Sequence, residues 1–95
     1  MAVVNQASDG YLFNGGPLNP PLTLCRGTKY TFAINAPLHP FYIRNQNGTS
    51  FVDGITGNHI DSGNLVFDVP VTAPNMLFYQ CDFHDVMTGA IIIVD

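Results

Sequence analysis

Short runs in which apolar and polar residues alternate, separated by clusters of Gly, Pro, Asn and Asp, make up most of this chain. Tyr30, Phe32 and Ile34 alternate with Lys29, Thr31, Ala33 and Asn35. That two-residue period predicts a strand with one face in a core and the other in water. Leu65, Phe67 and Val69 repeat the pattern against Val66 and Asp68, and Leu22 and Leu24 alternate with Thr23 and Cys25. Val3-Val4 and Tyr11-Leu12-Phe13 predict further strands, divided by Ser8-Asp9-Gly10. Phe41 to Arg44, Met76 to Gln80 and Ala90 to Val94 complete the set. Gly15-Gly16-Pro17 through Pro20-Pro21, Arg26-Gly27, Asn47-Gly48 and Pro70 to Asn75 read as turns and loops. Residues Asn45 to Asn64 carry little periodicity and predict a long surface connection with at most one short strand or turn. No segment has the period of a helix. About seven or eight short strands without helices predict an all-β antiparallel sandwich or barrel.

Composition narrows the class. The 95 residues (1–95) are expected to form a single domain. Hydrophobic residues make up 46 % and charged residues only 11 %, which is a folding chain and not a disordered tail. The basic residues are Arg26, Lys29 and Arg44, and the net charge is −4. Nucleic-acid binding needs clustered Lys and Arg, so nucleic acid is not expected as a partner. The charge also disfavours an anionic membrane surface, and no stretch is long enough to insert across a bilayer. A cationic protein partner is compatible. The N-terminus Met1-Ala-Val-Val-Asn lacks the charged start and apolar core of a secretory signal. A cytosolic protein, one whose signal has been removed, and a domain cut from a longer chain all fit that start.

The candidate chemistry lies near the C-terminus. Cys81-Asp-Phe-His84-Asp-Val-Met87-Thr-Gly89 sets cysteine, histidine and methionine at three-residue intervals, with an apolar strand directly after. A predicted strand ends at Cys81 and the next begins near Met87, so three ligand-type side chains share one loop. Such a loop wraps one side of an ion and needs a fourth ligand from elsewhere. His39, at the start of the Phe41 strand, supplies it. One thiolate, two imidazoles and one thioether form the ligand set of a blue-copper electron-transfer site. Zinc is the nearest alternative metal, but methionine serves it poorly.

The segment Phe78-Tyr-Gln-Cys81-Asp-Phe-His84-Asp-Val-Met87-Thr-Gly89-Ala-Ile resembles the C-terminal signature of the cupredoxins, such as plastocyanin, azurin, pseudoazurin and amicyanin. The two-and-two spacing is most similar to amicyanin's short loop. The resemblance implies an eight-stranded Greek-key sandwich with one copper ion near one end, cycling between Cu(II) and Cu(I). It implies His39, Cys81 and His84 as equatorial ligands and Met87 as a weak axial one. It also implies an extracytoplasmic setting (periplasm, lumen or secreted) and a protein redox partner docking near His84. A monomer is expected.

One position departs from the family. Relatives usually have asparagine after the first histidine, and its backbone amide donates to the copper thiolate; this chain has Pro40, which has no amide hydrogen. Several relatives have proline two residues after the cysteine, where this chain has Phe83. Phe83 N–H is therefore expected to replace the missing donor. Leu38, Pro40, Phe83 and Val86 are candidates for an apolar patch around an exposed His84 edge, or for packing at that pole. Asp82 and Asp85 add negative charge there, suited to a cationic partner or simply solvated.

Other readings fit less well. If His39 and Cys81 share one pole, Cys25 sits near the other. Eight strand residues at roughly 3.3 Å each then separate them by about 25 Å. A disulfide needs Cα atoms within about 7 Å, so Cys25 is expected to be a half-buried free thiol. Multicopper oxidases and copper nitrite reductases place histidine beside the cysteine, and here the neighbours are Gln80 and Asp82. A dinuclear copper centre needs a second loop cysteine. Nothing supports a base and oxyanion hole for a hydrolase. His59 is expected to be an exposed loop residue. The expected function is an electron carrier and not an enzyme in its own right. The alternative is a module that stores, delivers or senses copper, or an accessory domain of a larger protein.

Overall fold

The computed structural model describes all 95 residues. Nine strands and no helix make up the chain: β1 (Ala2–Gln6), β2 (Gly10–Phe13), β3 (Leu22–Cys25), β4 (Lys29–Asn35), β5 (Phe41–Arg44), β6 (Ile55–Thr56), β7 (Ser62–Asp68), β8 (Met76–Cys81) and β9 (Thr88–Val94). They form two sheets, in the orders β2-β1-β4-β7-β6 and β3-β9-β8-β5. The alternation read in β4 and β7 is realised as burial of Phe32, Ile34, Leu65 and Phe67, with Lys29, Thr31, Ala33 and Asp68 exposed. The extra strand is the two-residue β6, which pairs with β7 and lies inside the connection predicted from Asn45 to Asn64; that connection ends at Asp61, because β7 already begins at Ser62. Asn58 ties the same connection down, because its side chain exchanges hydrogen bonds with the N–H and C=O of Ile43 at 2.9 and 3.1 Å.

The sheets are mixed, not purely antiparallel as the strand pattern predicted. β1 runs parallel to β4, and β3 runs parallel to β9. Side-chain alternation reports which face of a strand is buried and carries no information about the direction of its neighbour, so the pattern could not show this.

Eighteen buried side chains from both sheets form one core. Its centre is aromatic. Phe41 stacks on Tyr79 at 5.8 Å, and Tyr11 and Phe13 meet them edge-on at 4.8–6.2 Å. Offset and edge-to-face arrangements suit the ring quadrupoles and add to the burial of apolar area. Tyr11 and Tyr79 are the polar members, and both hydroxyls donate to backbone carbonyls, of His39 at 2.7 Å and of Pro20 at 2.6 Å. Burial raises the pKa of each well above the usual tyrosine value. They therefore remain neutral donors at ordinary pH.

Gly89 explains one part of the C-terminal motif. It faces Tyr79 across the β8–β9 pair, and a Cβ there would overlap the hydroxyl end of the Tyr79 ring. That ring is fully buried and pinned at its hydroxyl. Gly89→Ala is expected to cost about 1–3 kcal/mol through overpacking. Thermal denaturation should show a melting temperature roughly 5–20 °C lower. An unchanged value would mean that Tyr79 swings aside freely.

Candidate metal centre

Register brings the site together. β5 and β8 run antiparallel, and Phe41, the first residue of β5, pairs with Cys81, the last of β8. The chain therefore enters β5 beside the point where it leaves β8. His39 lies two residues before that entry, and the Asp82–Met87 loop starts just after that exit. The predicted ligand positions thus meet at one end of the four-stranded sheet.

A tight turn presents His39. Its N–H donates to Ala36 O at 2.9 Å, with Pro37 and Leu38 between them. Leu38 adopts φ of 70°, the conformation that the third position of a type II turn requires and that glycine usually fills. A leucine there is strained. The turn is braced by the residue that leads into β7, because Asp61 accepts from Leu38 N–H through its carboxylate at 3.0 Å and from Ala36 N–H through its carbonyl at 2.9 Å. The Tyr11 hydroxyl holds the His39 carbonyl from the core side.

The loop closes on itself. Cys81 N–H donates to Met87 O at 3.0 Å, and Met87 N–H donates to His84 O at 3.1 Å. Asp82 N–H reaches back to Pro40 O at 3.1 Å, joining the two ligand-bearing segments. Cys81 Sγ lies 3.9 Å from His39 Nδ1 and 3.7 Å from His84 Nδ1. The ligand atoms of the three residues all fall within 4.8 Å of one another. An ion bound at the usual 2.0–2.3 Å to nitrogen and sulfur sets those atoms roughly 3.5–3.7 Å apart, so the cluster is already near the size a first-row metal needs. Both imidazoles turn Nδ1 toward the sulfur. His39, Cys81 and Met87 are buried, whereas His84 is half-buried. The donor set suits copper: a soft thiolate with two imidazoles, and a thioether on the same loop.

The sulfur has a hydrogen-bond donor. Phe83 N–H lies 3.5 Å from Cys81 Sγ and donates to it, as expected from the absence of an amide hydrogen at Pro40. Leu38, Phe83 and Val86 are 77 %, 70 % and 68 % exposed, so they form an apolar rim at this pole and do not pack into it. Pro40 is half-buried.

Cys25 is a half-buried free thiol at the end of β3, and Cys81 is also free. His59 is exposed and lies outside the three-residue cluster. It is not idle. Its Nδ1 lies 2.9 Å from both Asp82 carboxylate oxygens, and its ring stacks on Tyr42 at 4.4 Å. A carboxylate can only accept, so Nδ1 carries the proton. Asp82 is thus paired, which leaves Asp85 as the unpaired loop carboxylate. Sequence reasoning missed this pair, as it missed the supports from Tyr11 and Asp61, because each partner comes from a distant part of the chain. It also missed Gln80, whose Nε2 meets carbonyls of the same loop at 3.2 Å, although Gln80 interrupts an otherwise apolar run immediately before Cys81.

No protein-family model matches the chain, and neither does any curated protein sequence. Solved structures do match. A purple cupredoxin from Nitrosopumilus maritimus superposes with a TM-score of 0.57 at 18 % identity, covering 98 % of each chain. The reduced state of an amicyanin variant with a proline-to-phenylalanine substitution gives 0.56 at 14 % identity, covering 99 % of this chain and 81 % of that one. The two-sheet sandwich, with its ligand-type loop between the last two strands, has the cupredoxin fold.

Proposed function

We propose that this protein binds one copper ion through His39, Cys81, His84 and Met87 and carries single electrons between protein partners. The observation that carries the reading is the convergence of a buried thiol and two imidazole nitrogens within 4.8 Å, from segments 42 residues apart. Copper, when bound, supplies a one-electron Cu(II)/Cu(I) couple. The chain supplies the rest. The turn around Leu38, the Tyr11 hydroxyl and the closed loop hold the ligands in place, which limits rearrangement between oxidation states. Burial of Cys81 and Met87 keeps water from the sulfur atoms. The half-exposed His84 edge, ringed by Leu38, Phe83 and Val86, offers a partner a short route to the site. The net charge of −4 favours a cationic partner.

Titration with Cu(II), followed by voltammetry and chelator challenge, tests this reading. An intense visible charge-transfer band that saturates at one equivalent, a reversible wave and slow copper loss are expected. Fast loss with poor reversibility would favour copper delivery instead, and no band would remove the copper–thiolate assignment.

Phe83 gives a finer test. Phe83→Pro removes the N–H that faces the sulfur and leaves it more electron-rich, which favours the oxidised state. The reduction potential should fall by about 60 mV, the equivalent of a tenfold shift for a one-electron couple. A rise, or no change, would show that this contact does not tune the sulfur.

A further inference from the structure

Gln80 is a polar side chain in a strand otherwise made of Met76, Leu77, Phe78, Tyr79 and Cys81, and it is only 7 % exposed. Strict alternation would send Gln80 to water opposite Cys81, yet both are buried. Its Nε2 lies 3.2 Å from the carbonyls of His84 and Asp85, 3.3 Å from that of Cys81 and 3.4 Å from that of Met87. All four carbonyls belong to the segment that carries Cys81, His84 and Met87. An amide nitrogen has two hydrogens, so the four acceptors share them in bifurcated bonds. The surroundings also fix which way the amide points, because the flipped form would set its oxygen against four others.

The opposite end of the side chain is anchored in the sheet. Gln80 Oε1 accepts from Arg44 Nε at 3.4 Å. Arg44 in turn donates to Asn45 O at 3.2 Å and lies over the Phe78 ring at 4.6 Å. Outside the loop the other side-chain braces are Asn19, whose Nδ2 donates to Val86 O at 3.2 Å, and His59, whose Nδ1 meets the Asp82 carboxylate at 2.9 Å. Pro40, on the facing segment, has no side-chain donor to contribute.

We propose that Gln80 is a positioning residue, whose carboxamide clamps the Cys81–Met87 loop from inside and joins the spacing of the ligand residues to the β5–β8 sheet through Arg44. The loop's role as a ligand loop rests on the copper reading above, but the clamp itself does not.

Gln80→Met keeps the length and removes both donors. Hydrogen exchange in the metal-free protein should show amides of the loop opening about tenfold faster, with β4 and β7 unchanged, which is the loss of roughly one net hydrogen bond. Copper loss to a chelator from the loaded variant should quicken by a similar factor. Unchanged loop exchange would overturn the proposal, and so would equal acceleration throughout the chain, which marks a general loss of stability. Should Gln80→Met fail to fold, Arg44→Met withdraws the anchor from Oε1. It should loosen the same loop by about threefold, a smaller share of the same bond energy, and no loosening would overturn the clamp. A selectively loosened loop in a protein that binds no copper would uphold the clamp and remove the copper reading.

Discussion

Cys81→Ala should abolish the intense visible band of the copper-loaded protein and weaken copper binding by more than about a hundredfold. The bound is conservative, since loss of an outer hydrogen-bond partner alone costs a metal site about 10–100-fold. The Cys81 sulfur is the atom that both imidazoles face, at 3.7 and 3.9 Å, and in the proposed copper site its charge-transfer transition would be the source of the band. His39 and His84 would still hold copper weakly, with the pale spectrum of nitrogen and oxygen ligation. The fold should survive, because the change removes one small buried atom and strands only the Phe83 N–H, at an exposed edge of the loop. Circular dichroism of the variant checks this. A blue band that persists in the folded variant would refute the thiolate site outright.

Phe41→Ala should be the most destabilising single truncation in the core, at about 3–5 kcal/mol. Phe41 is fully buried and its ring meets those of Tyr11, Phe13, Phe32 and Tyr79. Neighbours pinned by their hydroxyls, such as Tyr11 and Tyr79, cannot collapse into the space it leaves. A domain of this size has roughly 5–15 kcal/mol in total, so the variant is expected to be marginal at 37 °C. Urea denaturation reads the effect as a lower midpoint with a similar slope. Because Phe41 pairs with Cys81, copper affinity should fall as well. Phe41→Leu, which fills most of the volume, should cost far less. A truncation cost below about 1 kcal/mol would mean that the aromatic centre repacks, contrary to the usual behaviour of close-packed interiors.

The candidate ligand residues stood out in the sequence because metal chemistry demands rare side chains at short spacing. Cys81, His84 and Met87 lie within seven residues, and a loop of that length can only gather them at one place. The expectation that Phe83 replaces the donor lost at Pro40 also came from local covalent fact, since proline has no N–H and phenylalanine has one. Strand identity in β4 and β7 followed from strict alternation. The tie from Asn58 to Ile43 and the Asp82–His59 pair were not legible, because each joins residues well separated along the chain that only the folded loops bring together. Gln80 was legible only as a polar break in an apolar strand, since its burial depends on how the loop folds back over it.

Sequence by itself determined the all-β class, the half-buried strands, the turn at Arg26-Gly27 and the identity of the ligand-type residues, since these depend on local periodicity and side-chain chemistry. Tertiary structure alone decided that β1 and β3 pair in parallel with β4 and β9. It also decided that His59 Nδ1 meets the Asp82 carboxylate and that a buried glutamine holds the loop. The physical reason is that hydrogen-bond register and close packing are properties of pairs of segments, and neither segment encodes its partner.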